Sequence, residues 1–277
     1  MLLCSYEDMR DVETWLDRHL NRLSSDDRIA FFDLADCRTP ALTDGTEEKS
    51  GLGIFFTNDM NFDGDAAVFP LISRANHSCV PNADFVTRGE RRVQEVIATS
   101  NIASGEEITL SYLEAASAGS EGRSGRQGYT RLWYGFQCLC RACSLEGQDL
   151  VRDETIRERV RQVQGQLADS GAVHDQVALS CLDAFLDDLR LIGSKLSYRL
   201  EMTRFVFDKA VAAGDAGLLA KTAAAGYMLD DIVNGCEVCH NHDQSREIST
   251  NPKNFPGWVQ KRVRVCHKVN PCLRLQR

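Results

Sequence analysis

The sequence predicts an α+β fold with a β-rich first half, a cysteine knuckle and a helical second half. Three observations predict it. Apolar runs between residues 53 and 112 are short and are broken by turn residues, as short strands require. Three thiols fall within six residues at Cys138, Cys140 and Cys143. Beyond about residue 152 the apolar residues recur at steps of three and four, the period of helices with one buried face. A chain of 277 residues that is 43% hydrophobic can bury a core of that size.

The elements follow in order. From residue 6 to 23, Met9, Val12, Trp15, Leu16, Leu20 and Leu23 form one apolar stripe, which predicts an amphipathic helix. After a polar stretch with Pro40 and Gly45, strands are predicted at 53–57, 67–69, 83–87, 92–99 and 107–112. Residues 116–128, rich in Gly, Ser and Ala, read as a loop. Ile156, Val160, Val163 and Leu167, then Leu182, Phe185, Leu189 and Ile192, mark helices whose stripes pack together, with further segments near 196–213 and 216–234. The resulting boundaries are 1–115, 116–150 and 151–277.

Charge and cysteine usage narrow the function. The formal net charge is -8 and basic residues cluster only mildly, at 261–268, which argues against direct nucleic-acid binding and favours a basic peptide as partner. No apolar run reaches the roughly 18 residues that span a bilayer, so no membrane partner is expected. The first ten residues turn acidic too soon for a secretory signal, and eleven cysteines are an odd number for a disulfide framework. The chain reads as intracellular, nuclear or cytoplasmic, with reduced thiols.

Thiols two residues apart do not normally bridge, so Cys138-Leu139-Cys140-Arg141-Ala142-Cys143 points to metal. Three thiolates on a tight turn suit a structural zinc, which wants a fourth nitrogen or sulfur ligand. Cys79 is the expected fourth, because Pro81 stiffens its segment and the polar run Asn76-His77-Ser78 before it looks built for contacts. Cys236, Cys239, His240 and His242 form a competing half-site without a clear second pair.

Three motifs in order carry a family resemblance. Residues 69–83, containing Asn76-His77-Ser78-Cys79 and Pro81-Asn82, are followed by 105–112, ending in Tyr112, and by 136–143, from Phe136 to Cys143. Together they resemble the C-terminal half of a SET domain with its post-SET cysteines, most similar to fungal SET-domain proteins related to the SMYD group. The resemblance covers roughly residues 10–145. It implies a SET-type domain of short sheets with a post-SET zinc knuckle, and transfer of a methyl group from S-adenosyl-L-methionine to a lysine of a protein substrate, such as a basic histone tail. It further implies that Asn76, His77 and Phe136 contact the cofactor, that Tyr112 stands where methyl donor and lysine meet, and that Cys79, Cys138, Cys140 and Cys143 hold one zinc.

The family's opening strand, with its glycine-rich turn for the methionine end of the cofactor, has no counterpart recognisable in residues 1–30. From that departure the expectations are weak cofactor binding, low activity and an unpaired sheet edge. A catalytically silent SET-like binding or scaffold module is the alternative reading.

Overall fold

The computed structural model describes residues 2–5, 11–38, 49–88, 91–113, 118–168 and 179–234. The chain divides into two units, residues 1–113 with 123–145, and residues 114–122 with 146–277.

The first unit opens with strand β1 (Leu2–Cys4), then helices α1 (Val12–Leu20), α2 (Ser25–Phe32) and α3 (Gly51–Asn58). Helix α1 buries Trp15, Leu16 and Leu20, the stripe its spacing predicts. Helix α2 starts where Ser24 Oγ accepts from the backbone N–H of Asp27 at 3.1 Å, with Asp26 and Asp27 at the positive end of the helix. Helix α3 corrects the sequence reading, which expected a strand at 53–57. Residues 53–56 of that run are continuously apolar before Thr57, so its period distinguishes nothing. Ser50 decides it by accepting from Gly53 N–H at 2.8 Å, and Ile54 and Phe55 then enter a core with Trp15, Leu16, Leu20, Phe31 and Val68.

Strands β2 (Asp59–Phe62) and β3 (Asp65–Val68) form a hairpin across Asp63-Gly64, both at positive φ (56° and 94°), the combination a tight two-residue turn requires. β1 pairs antiparallel with the other side of β3, Leu2 opposite Val68 and Cys4 opposite Ala66, so the sheet order is β1-β3-β2. A strand does therefore precede the first helix, and β3 is paired on both sides rather than left open. Strands β5 (Ala83–Arg88) and β6 (Val93–Ala98) form a second antiparallel pair, close to their expected positions. Strands β4 (Asn76–His77) and β7 (Thr109–Leu110) pair in parallel, Asn76 opposite Thr109 and His77 opposite Leu110. β7 is shorter than the predicted 107–112.

Helix α4 (Arg123–Tyr134) replaces the second half of the predicted loop. Its glycines weaken it, but Arg126 and Thr130 lie buried on one face, so packing outweighs propensity. The second unit holds α5 (Gly147–Ala168), α6 (Leu179–Leu191), α7 (Leu196–Ala213) and α8 (Ala216–Asn234). Successive helices pack on one another around Val160, Leu182, Phe185, Leu189, Val206 and Leu219. No helix among the described residues is long and apolar enough to cross a membrane. Cys236, Cys239, His240 and His242 lie outside the described residues.

Gly53 is required by a close approach. A Cβ there would stand 2.3 Å from both carboxylate oxygens of Asp36. That carboxylate accepts from the backbone N–H of Arg38 at 2.9 Å and of Ser50 at 3.0 Å, so it cannot swing away freely. Replacing Gly53 with Ala gains helix propensity of about 1 kcal/mol. It also breaks or strains two charge-assisted bonds worth roughly 1.5–3 kcal/mol each. Gly53→Ala is expected to lower the urea midpoint by a net loss of up to about 2–5 kcal/mol at unchanged slope, and an unchanged or higher midpoint would contradict the packing described.

Candidate functional site

The site grows out of the parallel pair β4–β7. Because β4 is only two residues long, the chain leaves it at once, and Ser78 N–H donates to Leu110 O at 2.9 Å to hold the exit. Ser78 Oγ then accepts from Val80 N–H at 3.2 Å, closing a tight turn before Pro81. Asn82 fastens the far side. Its Oδ1 accepts from Thr109 N–H at 2.9 Å, and its Nδ2 donates to Glu107 O at 2.9 Å and to Glu106 Oε1 at 3.0 Å. Each such bond contributes about 0.5–1.5 kcal/mol, more where the acceptor is charged. Residues 76–82 are therefore clamped between β7 and the turn before it.

That clamp aims Cys79 at the knuckle. Its Sγ lies 3.8 Å from Cys138 Sγ and 3.5 Å from Cys143 Sγ, and its backbone N–H donates to Cys140 Sγ at 3.4 Å. All four sulfurs fall within 4.8 Å of one another. The knuckle is itself closed by Cys143 N–H donating to Cys140 O at 2.9 Å. Helix α4 braces it, with Gln127 Nε2 donating to Cys138 O at 2.8 Å and the fully buried guanidinium of Arg126 reaching 4.0 Å from Cys143 Sγ.

These sulfurs are free thiols, too far apart for a disulfide. A zinc with sulfur ligands at about 2.3 Å in a tetrahedron sets neighbouring sulfurs about 3.8 Å apart, so the donor set and its spacing fit zinc. The electrostatics agree. Cys79 is pushed upward by hydrogen bonding to Cys138 and its neighbours and by burial, while Cys138 is pulled down by hydrogen bonds from Cys140 and Cys143. The four cannot all ionise without a cation between them.

Beside the thiols stands a set of rings. His77 lies 5.2 Å from Tyr112 and 6.1 Å from Phe136, between ring centroids, and Tyr112 lies 6.5 Å from Phe136. Tyr112 O–H donates to Ala75 O at 2.7 Å. Burial, and then the charge of Glu107, hold its phenol above the ordinary tyrosine range. Asn76 is exposed and donates through Nδ2 to Glu107 Oε1 at 2.6 Å, which leaves Oδ1 turned to the other side.

Sequence reasoning missed Tyr134. Its ring is 4.9 Å from that of Tyr112, nearer than Phe136, and 6.4 Å from Tyr129. Burial, with Tyr129 and Asp59 nearby, pushes its phenol up to about 12. The available signal was its place two residues before Phe136, at the end of a segment read as following a loop.

Residues 2–113 match the family model for the SET domain. An N-lysine methyltransferase SMYD2 of Bos taurus is 28% identical over 165 residues, 56% of this chain and 34% of that protein. The histone-lysine N-methyltransferase set5 of Schizosaccharomyces pombe is 30% identical over 109 residues, 39% of this chain and 33% of its own length. The protein-lysine N-trimethyltransferase SMYD5 of Mus musculus is 38% identical over 90 residues, 32% of this chain and 21% of its own. The chain spans about a third or less of each of these relatives. The match to the SET domain is thus confined to residues 2–113, and the relatives similar to the chain are named as lysine methyltransferases.

Proposed function

We propose that this chain transfers a methyl group from S-adenosylmethionine to a lysine of a protein substrate, and that Cys79, Cys138, Cys140 and Cys143 hold one structural zinc. The observation that supports it most is the half-buried Tyr112, at the end of the SET-domain match, with the rings of His77, Tyr134 and Phe136 around it and the thiol cluster close by. In this reading residues 1–115 form the SET portion, 116–150 the loop and zinc knuckle, and 151–277 a helical region. The net charge of -8 favours a basic segment such as a histone tail, and substrates of that kind place the activity in the nucleus or cytoplasm.

The cofactor, when bound, supplies an electrophilic methyl group on a sulfonium. The chain supplies alignment and a dry, preorganised wall. Tyr112 O–H donates to Ala75 O, so its oxygen presents lone pairs that favour electropositive neighbours and orient the lysine amine. Asn76 offers Oδ1 as an acceptor to the cofactor, and Phe136 offers a ring face to adenine. Zinc would close the knuckle and fix Phe136 two residues before Cys138. Tyr112 is no base at neutral pH, because its phenol is held above the ordinary range. The substrate lysine loses its proton through desolvation and solvent.

The test is incubation of the full chain with radiolabelled S-adenosylmethionine and histones or lysine-bearing basic peptides. Label on lysine is expected, with a rate that rises with pH as the lysine deprotonates and shows no falling limb from Tyr112 below pH of about 10. Tyr112→Phe should cut turnover by roughly a hundredfold, the usual cost of a lost transition-state contact, while cofactor binding largely persists. Cofactor binding without transfer to any lysine would favour a catalytically silent SET module, and full activity in Tyr112→Phe would remove that residue from the mechanism.

A further inference from the structure

His77 uses both of its ring nitrogens, on opposite sides. Nδ1 lies 3.1 Å from the backbone N of Tyr112, and Nε2 lies 3.4 Å from Cys79 Sγ. A backbone N–H can only donate, so Nδ1 is the acceptor. In the neutral ring the proton then sits on Nε2 and points at the sulfur. A thiolate bound to a metal keeps lone pairs that accept such a bond, and its charge strengthens it. One rigid ring therefore runs from a sulfur of the thiol cluster to the main chain of Tyr112.

The sheet does not duplicate this link. The β4–β7 register ends at His77 opposite Leu110, and the next ladder bond, from Ser78 N–H, also goes to Leu110 O. Tyr112 lies two residues beyond, where its backbone N–H is given to His77 and its hydroxyl to Ala75. Both anchors come from residues 75–77, and only the one through His77 leads on to Cys79.

Resting on the zinc reading of the thiol cluster, we propose that His77 is a positioning residue, a strut that transmits the state of the metal cluster to the backbone of Tyr112. A change at Cys79 then shifts Tyr112, and loss of the strut loosens the metal. Outer partners of metal ligands set affinity in this way, because they fix the ligand's orientation and charge.

The test uses the full chain with ¹⁵N at its six tyrosines, loaded with Zn²⁺ or with the larger Cd²⁺. The Tyr112 amide signal is the one lost in Tyr112→Phe. Exchange of zinc for cadmium moves the Cys79 sulfur without unloading the site, and the Tyr112 amide signal is expected to move with it. His77→Asn keeps an acceptor near the Nδ1 position but has no atom that reaches Cys79. It should abolish most of that shift and weaken zinc binding, in competition with a chromogenic chelator, by about tenfold. His77→Gln keeps a donor that reaches the sulfur but no acceptor for Tyr112. It should hold zinc close to the parent while losing the shift, and it carries the decision if His77→Asn fails to fold. A shift that persists undiminished in His77→Asn or His77→Gln, zinc binding unchanged in His77→Asn, or a chain that holds no metal would each overturn the proposal. Neither readout needs methyl transfer, so an inactive chain leaves this test intact.

Discussion

Four sulfurs packed within 4.8 Å of one another, three of them on buried cysteines, are the constraint on which the rest of the first unit depends. Thiols crowded out of water repel as they ionise and satisfy one another poorly as weak hydrogen-bonding groups. A dication converts that liability into a closed tetrahedron. The cluster joins segments 59 residues apart, Cys79 after β4 and Cys138 in the knuckle. Each neighbouring element carries a feature that serves it. Ser78 and Asn82 fasten the turn that presents Cys79, Gln127 holds the knuckle's first carbonyl, and Arg126 brings a buried positive charge toward Cys143.

The rings follow from the same geometry. Phe136 and Tyr134 reach Tyr112 because the knuckle is drawn against Cys79, and His77 reaches Tyr112 because β4 and β7 run in parallel. In this reading the metal performs no chemistry. It brings together, at fixed separation, side chains from residues 76, 112, 134 and 136, which no continuous element could present side by side. A preorganised wall of that kind contributes to catalysis by sparing the reacting groups a search for position.

Much of the site was legible in the sequence because its residues are chemically unusual where they stand. Three thiols in six residues, and a thiol after Asn76-His77-Ser78 and before Pro81, have few packing explanations, and the structure brings those four cysteines together. Strands β5 and β6 and the four long helices were readable from period alone. The losses have physical causes. At 53–56 the apolar run is unbroken, with Thr57 the first polar side chain, so the local pattern is silent and a cap at Ser50 favours helix. Residues 123–128 look like a loop because glycine and serine disfavour helix, and only the tertiary burial of Arg126 and Thr130 overrides that. β1 is three residues long, too short for alternation to register, and exists because β3 offers an edge. Tyr134 escaped because its meaning depends on Tyr112, which comes near only in the folded chain.

The central claim is that a tetrathiolate metal site ties the turn after β4 to the knuckle. X-ray absorption at the zinc edge of the purified full chain tests it most directly, since the fine structure counts the sulfur neighbours and measures their distance. Four sulfurs at about 2.3 Å with no nitrogen or oxygen shell is the result expected of a closed structural site. A chain without zinc, or a first shell with fewer than four sulfurs, would contradict it.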